Sequence, residues 1–221
     1  MTTNQLIVAS MIVLLTVGIG VGWGFQNLTA NKSESTTTTK STTSTATSSV
    51  YMLNLVEIMG NEWNSTAGAQ PQFSVLGSHG LQSSANISLP ANTLIQVAIL
   101  SYDTPTPGST ADEAQVTGTV GGKMYLINGT TASMTNMSMI MSPWGANVSS
   151  VAASSLAHTF SIQQLGMNIP VVGGSTEIAY LYFSHPGTYT WVCLTPCGLG
   201  NNGLAGAMDT PGWMTGTIVV S

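Results

Sequence analysis

Five residues in the C-terminal third of this chain have the types and spacing for metal chemistry: His158, Cys193, Cys197, Met208 and Met214. Cys193 and Cys197 are the two cysteines of the sequence and lie in the run WVCLTPCGLG. Thiolate, imidazole and thioether form a soft donor set, and copper takes soft sulfur together with imidazole nitrogen. An imidazole from one strand, followed by sulfur ligands from one loop near the C-terminus, can be held by a β-scaffold rigid enough to limit reorganisation when the metal changes oxidation state. His158 is then the imidazole, Cys193 and Cys197 the thiolates, and Met208 or Met214 the thioether. Two alternatives stay open on the same residues. An extracytoplasmic chain can oxidise a Cys-x3-Cys pair to a local disulfide, and His158 can be a core histidine satisfied by a hydrogen bond.

The other candidates are weaker by position. His79, in SVLGSHGL, and His185, beside Pro186-Gly187, read as turn residues. An extended strand would carry His185 more than about 20 Å from Cys193. Met134, Met137, Met139 and Met141 could offer thioethers to Cu(I) or form one face of a strand or packing loop. The sequence has no G-x-S-x-G, H-E-x-x-H or C-x-x-C-H motif, which leaves hydrolytic and nucleophilic enzymology without support. GLGNNGLAG is followed by no helix or lysine that would make it a phosphate loop.

The elements that must position these side chains are strands. From Val50 onward, short β-branched and aromatic runs alternate with Gly, Pro, Asn and Ser, the pattern of an all-β sandwich or barrel. It predicts strands over 51–59, 73–76, 93–101, 116–120, 124–127, 158–163, 176–183, 188–193 and 215–220. Residues 105–114 read as a turn region and 133–153 as a long excursion. No segment after Val50 has a convincing helical period.

The motifs carry a family resemblance over about the last 65 residues. His158-Thr-Phe160, Pro186-Gly187-Thr-Tyr189, Cys193-Leu-Thr-Pro-Cys197-Gly198-Leu199-Gly200 and the closing Met214-Thr-Gly216-Thr217-Ile218-Val219-Val220 resemble the copper-binding domain of subunit II of haem-copper oxidases. The B-type form, with one N-terminal membrane helix, is the closest in layout. The resemblance implies a cupredoxin-like Greek-key β-sandwich or barrel with an N-terminal transmembrane helix, a copper centre, and electron transfer to a haem-copper oxidase subunit or another respiratory electron-transfer protein. Where that family places a second histidine, this chain has Asn201, and the run NNGLAGAMDTPGW separates the CGLG turn from Met214. Residues 60–150 match no named family.

The N-terminal part is read from composition. Residues 5–25, QLIVASMIVLLTVGIGVGWGF, give about twenty uncharged positions, enough to cross a bilayer as a helix. Trp23 and Phe25 stand at its end as an interfacial anchor. No basic segment or Ala-x-Ala site marks it as a cleaved signal. SESTTTTKSTTSTATSS, residues 33–49, is too polar to bury anything and reads as a linker or O-glycosylated stalk. The expected organisation is a transmembrane anchor over 1–26, a Ser/Thr-rich linker over 27–49 and a cupredoxin-like domain over 50–221. Seven Asn-x-Ser/Thr triplets, at Asn27, Asn31, Asn64, Asn86, Asn128, Asn136 and Asn147, all follow the apolar segment. They place the C-terminal body outside a cell membrane crossed once.

Charge narrows the partners. Three Lys, no Arg and eight carboxylates give a net charge of −5, which leaves no basic patch for nucleic acid. Only 5% of residues are charged, against about 25% in an ordinary domain. A surface of Ser, Thr, Asn and Gln keeps its character as pH falls through about 4, which suits an acidic medium. Heavy glycosylation accounts for the same composition. Three functions follow: a non-catalytic electron-transfer component of a terminal oxidase, a copper-free structural subunit of the same fold, and a glycosylated surface binding module.

Overall fold

The computed structural model describes residues 50–64, 68–128, 145–198 and 204–221. The expected membrane helix and linker, the run Met134 to Met141, and Asn201 lie outside them. Among the described residues no helix is long and apolar enough to cross a membrane.

Twelve strands are described: β1 (Tyr51–Asn64), β2 (Gly68–Gly77), β3 (Gly80–Ser83), β4 (Asn86–Leu89), β5 (Leu94–Ser101), β6 (Met124–Asn128), β7 (Ala146–Val148), β8 (Leu156–Ile162), β9 (Met167–Val172), β10 (Ser175–Tyr182), β11 (Gly187–Val192) and β12 (Thr215–Val220). They form two sheets, one ordered β3-β2-β1-β5-β10-β6-β7 and the other β4-β12-β11-β8-β9. The all-β expectation holds. Residues 60–150, which no motif covered, supply strands to both sheets and so complete the sandwich.

Period-two alternation builds the core. Leu53 and Leu55 of β1, Ile95, Val97 and Ile99 of β5, and Ile218 and Val220 of β12 all point inward and are buried, while Val219 between the last two is exposed. Phe73, Phe160 and Trp191 fill the space between the sheets. Phe160 stacks on Trp191 at 5.2 Å, and Phe73 meets the two edge-on at 6.0 and 5.7 Å.

Strand β8 is buried along its whole length. One side, with His158, Phe160 and Ile162, faces the core. The other carries Ala157, Thr159 and Ser161, and its polar groups are met by Leu194, by Asn168 of β9 and by the chain around residues 106–117. Thr106 donates to the carbonyls of Leu156 and Ala157. Ser161 donates to Asn168, which in turn donates to the carbonyls of Glu113 and Gln115. The Pro/Gly-rich turn region thus folds over β8 and satisfies it.

Several expectations are corrected. The strand expected over 116–120 is absent: only bridges at Gln115 and Thr117 form, followed by a 3-10 turn over Val120–Gly122. Gly118 and Gly121 take φ of 66° and 78°, a conformation that ends a ladder. Strand β7 falls inside the expected excursion, pairing with β6. Strands β3, β4 and β9 were not expected. The first two are four residues long, and β9 contains Pro170, which argues against a central strand but is tolerated on the edge that β9 occupies.

Gly216 has a clear steric reason. A Cβ there would lie 2.4 Å from Trp191 Nε1 and 2.5 Å from the Ser84 carbonyl that this indole donates to. Gly216→Ala must displace the indole and break that bond, an overpacking change that costs about 1–3 kcal/mol. Denaturant unfolding should show this loss, together with a shifted Trp191 fluorescence.

Glu177 sits fully buried on β10. Val172 N and Ser175 Oγ donate to its Oε1, and Oε2 has no hydrogen-bond partner. Burial pushes its pKa up to about 8; the two hydrogen bonds oppose this and the neighbouring Glu57 adds to it. Because the folded state favours the protonated acid, its stabilising effect is complete below the unfolded value of about 4.5. It is lost as pH rises from there towards 8. Stability should therefore fall over that interval by an amount on the order of a few kcal/mol. Thermal melts of Glu177→Gln against pH should be flatter than those of the parent chain.

Candidate metal centre

The site is built from the end of β11 and the middle of β8. Beyond Val192, Cys193 turns inward and its backbone N–H donates to the Met214 carbonyl at 2.8 Å, which ties the cysteine loop to the start of β12. Leu194 N donates to Thr159 Oγ1 at 2.8 Å, which ties the same loop to β8. These two bonds fix where the sulfur stands relative to the imidazole.

Cys193 Sγ lies 3.8 Å from His158 Nδ1 and 3.3 Å from Cys197 Sγ. One donor atom from each of the three residues falls within 4.8 Å of the others. Both cysteines are free, so the sequence alternative of a local disulfide is not the state observed. Cys193 Sγ also receives the backbone N–H of Thr159 at 3.5 Å and lies 3.1 Å from the Thr195 hydroxyl. Cys193 and His158 are fully buried, so no substrate reaches the thiol. That geometry disfavours a nucleophilic cysteine and fits a metal ligand.

The far side of the imidazole is held by carboxylates. His158 Nε2 lies 2.8 Å from Asp103 Oδ2 and 3.3 Å from Glu57 Oε1. Asp103 Oδ1 accepts from Thr104 N, and Glu57 Oε2 accepts from Ser101 Oγ at 2.8 Å. An imidazole anchored to a carboxylate through one nitrogen presents the other in a fixed direction, the arrangement of metal-ligating histidines. Here the presented nitrogen is Nδ1, which faces the sulfurs.

The electrostatics follow from these contacts. Burial opposes protonation of His158, but hydrogen bonds to Asp103 and Cys193 and the nearby charge of Glu57 outweigh it and hold its pKa well above the usual value. Burial likewise opposes ionisation of Cys193, yet hydrogen bonds from Cys197 and His158 bring its pKa well below that of a free thiol. Cys197, donating to Cys193 and largely buried, is pushed up. These contacts favour the thiolate form of Cys193, with the Cys197 thiol donating to it. Thiolate is the form that ligates a metal.

Of the five sequence candidates, the structure brings His158, Cys193 and Cys197 together. Met214 is buried and joined to Cys193 through the backbone, and Met208 lies in the same apolar cluster on a short 3-10 turn over Gly206–Asp209. His79 and His185 are exposed, as their turn composition suggested. Sequence reading missed Glu57 and Asp103. Glu57 had a signal: it continues the inward positions Leu53 and Leu55 of β1, so a carboxylate stood where period two demands an apolar residue. Asp103, in the irregular stretch after β5, had none.

The donor set fits copper: two soft sulfurs and an imidazole nitrogen, with Cys193 Sγ 3.3 Å from Cys197 Sγ and 3.8 Å from His158 Nδ1. Ligand atoms around one tetrahedral ion with bonds of about 2.0–2.3 Å need similar separations. No model of a known protein family matches the chain, and no curated protein matches it. Among solved structures, the chain is similar to a chain of a heme-copper terminal oxidase dimer, at 12% identity and a TM-score of 0.37, over 99% of this chain and 96% of that one. It is similar to the periplasmic domain of subunit II of cytochrome oxidase of Bradyrhizobium japonicum, at 12% identity and a TM-score of 0.33, over 77% of this chain and 83% of that one. It is also similar to the copper protein rusticyanin, at 15% identity and a TM-score of 0.29, over 78% of each chain.

Proposed function

We propose that this chain is a membrane-anchored, extracytoplasmic copper protein that carries electrons, as a subunit II-like component of a respiratory terminal oxidase. The observation that carries this reading is the buried cluster of His158 Nδ1, Cys193 Sγ and Cys197 Sγ. His158, Cys193 and Cys197 would hold the ion, with Met214 or Met208 supplying a thioether. Bound copper supplies a one-electron couple between Cu(I) and Cu(II).

The chain's own residues do the rest. Asp103 and Glu57 orient the imidazole. Thr159 N and the Thr195 hydroxyl stand against the Cys193 sulfur and disperse its charge. The sandwich excludes water and holds the ligands in place between oxidation states. The apolar segment 5–25 supports a membrane anchor, and the exposed side chains of Asn86 and Asn147 are compatible with an outer, glycosylated face.

A second reading is a copper-free subunit that docks through the same sandwich. Asn201, where the resembling family has its second histidine, favours it. Absorption and electron paramagnetic resonance spectra of the detergent-solubilised full chain, loaded with copper, separate the two. Thiolate-to-copper bands with about one or two ions per chain are expected, and Cys193→Ser should abolish them. Absence of copper from the parent chain would leave the docking subunit.

Asp103→Asn keeps the shape but weakens the hold on Nε2. Copper affinity should fall by about 10- to 100-fold, as for other partners of ligating histidines, with the thiolate-to-copper bands retained at saturation. Competition with a copper chelator measures that change.

A further inference from the structure

The carboxylates that close on His158 Nε2 form a cluster that uses neither sulfur. Glu57 Oε1, Asp103 Oδ2 and Nε2 all lie within 4.8 Å of one another, and all three residues are buried. Nε2 carries at most one proton, and its 2.8 Å hydrogen bond to Asp103 uses it. Glu57 Oε1, 3.3 Å from Nε2, is left without a hydrogen-bond partner, although its residue is fully buried. An oxygen aimed at a nitrogen whose proton is already engaged lacks the partner that buried acceptors have.

We infer that Glu57, Asp103 and His158 form a second metal site, for one divalent cation of borderline hardness such as Zn2+. A dication balances the two carboxylates, and two carboxylate oxygens with one imidazole nitrogen are a zinc donor set. Calcium and magnesium, which want six or more oxygens, do not suit it. The separations of 2.8 and 3.3 Å from Nε2 require Asp103 to withdraw by a few tenths of an ångström, roughly what bonds of about 2.0–2.2 Å demand. Thr104 N on Asp103 Oδ1 and Ser101 Oγ on Glu57 Oε2 already orient the two carboxylates.

The proton on Nε2 must leave for the cation to bind. It goes to solvent, and Nδ1 keeps its own proton unless a metal takes its place. The site itself needs no copper, so its fate is separable from that of the proposed electron-transfer centre.

The test uses the full chain with both cysteines replaced, Cys193→Ser/Cys197→Ser, dialysed against Zn2+ alone and measured by metal analysis and calorimetry. About one Zn2+ per chain is expected. Adding Glu57→Gln or Asp103→Asn should weaken that binding at least tenfold. Exposed His79 and His185 are present in every variant, so any zinc they take cancels in the comparison. Equal zinc in the variants with and without the carboxylates overturns the proposal. Should the double cysteine variant not fold, the parent chain loaded first with copper and then with Zn2+ decides. Zinc bound beside undiminished copper supports the site, whereas zinc that is excluded or only displaces copper overturns it. Zinc binding in a chain that takes no copper would uphold this site and remove the copper reading alone.

Discussion

The contact between His158 Nε2 and Asp103 Oδ2 is the one on which the candidate centre depends. It sits in a core otherwise filled by Phe73, Phe160, Trp191 and aliphatic side chains, where an unpaired charge costs several kcal/mol. Removing either partner would leave the other stranded. The bond also sets direction: once Nε2 is engaged, Nδ1 can only face the sulfurs. Phe73 closes the ring from the side, edge-on at 6.2 Å.

Everything around that bond keeps it dry and satisfied. Ser101 and Thr104 take up the second oxygens of Glu57 and Asp103, and Thr106 bonds the carbonyls of Leu156 and Ala157 on β8. The cysteine loop is tied to two strands of one sheet, through Met214 and Thr159, so neither strand can shift without moving the sulfur. This local rigidity is what an ion changing its charge requires of its ligands. It is a property of hydrogen bonds between elements distant in sequence.

The chain's sparse charge has a structural counterpart. Eight carboxylates occur in the sequence, and Glu57, Asp103 and Glu177 are buried. Glu177 is most compatible with its surroundings when protonated, so the folded state gains as pH falls.

Much of the architecture was legible in the sequence because strands announce themselves locally. The alternation of Thr215–Val220 and the apolar run of Leu94–Ser101 follow from side-chain period alone, and the His158, Cys193 and Cys197 ligand types follow from chemistry and spacing. Elements whose stability comes from their neighbours were not legible. Strand β9 carries a proline and forms because it lies on an edge, and the expected strand over 116–120 gives way to glycine turns that pack beside β9. The carboxylates at the imidazole belong to this second class. Glu57 and Asp103 are 101 and 55 positions from His158, and only the packing of β1 and the β5 exit against β8 brings them to it. Residue type determined which groups could hold a metal. Tertiary structure decided which nitrogen faces the sulfur, because that choice rests on hydrogen bonds between segments that meet only in the folded chain.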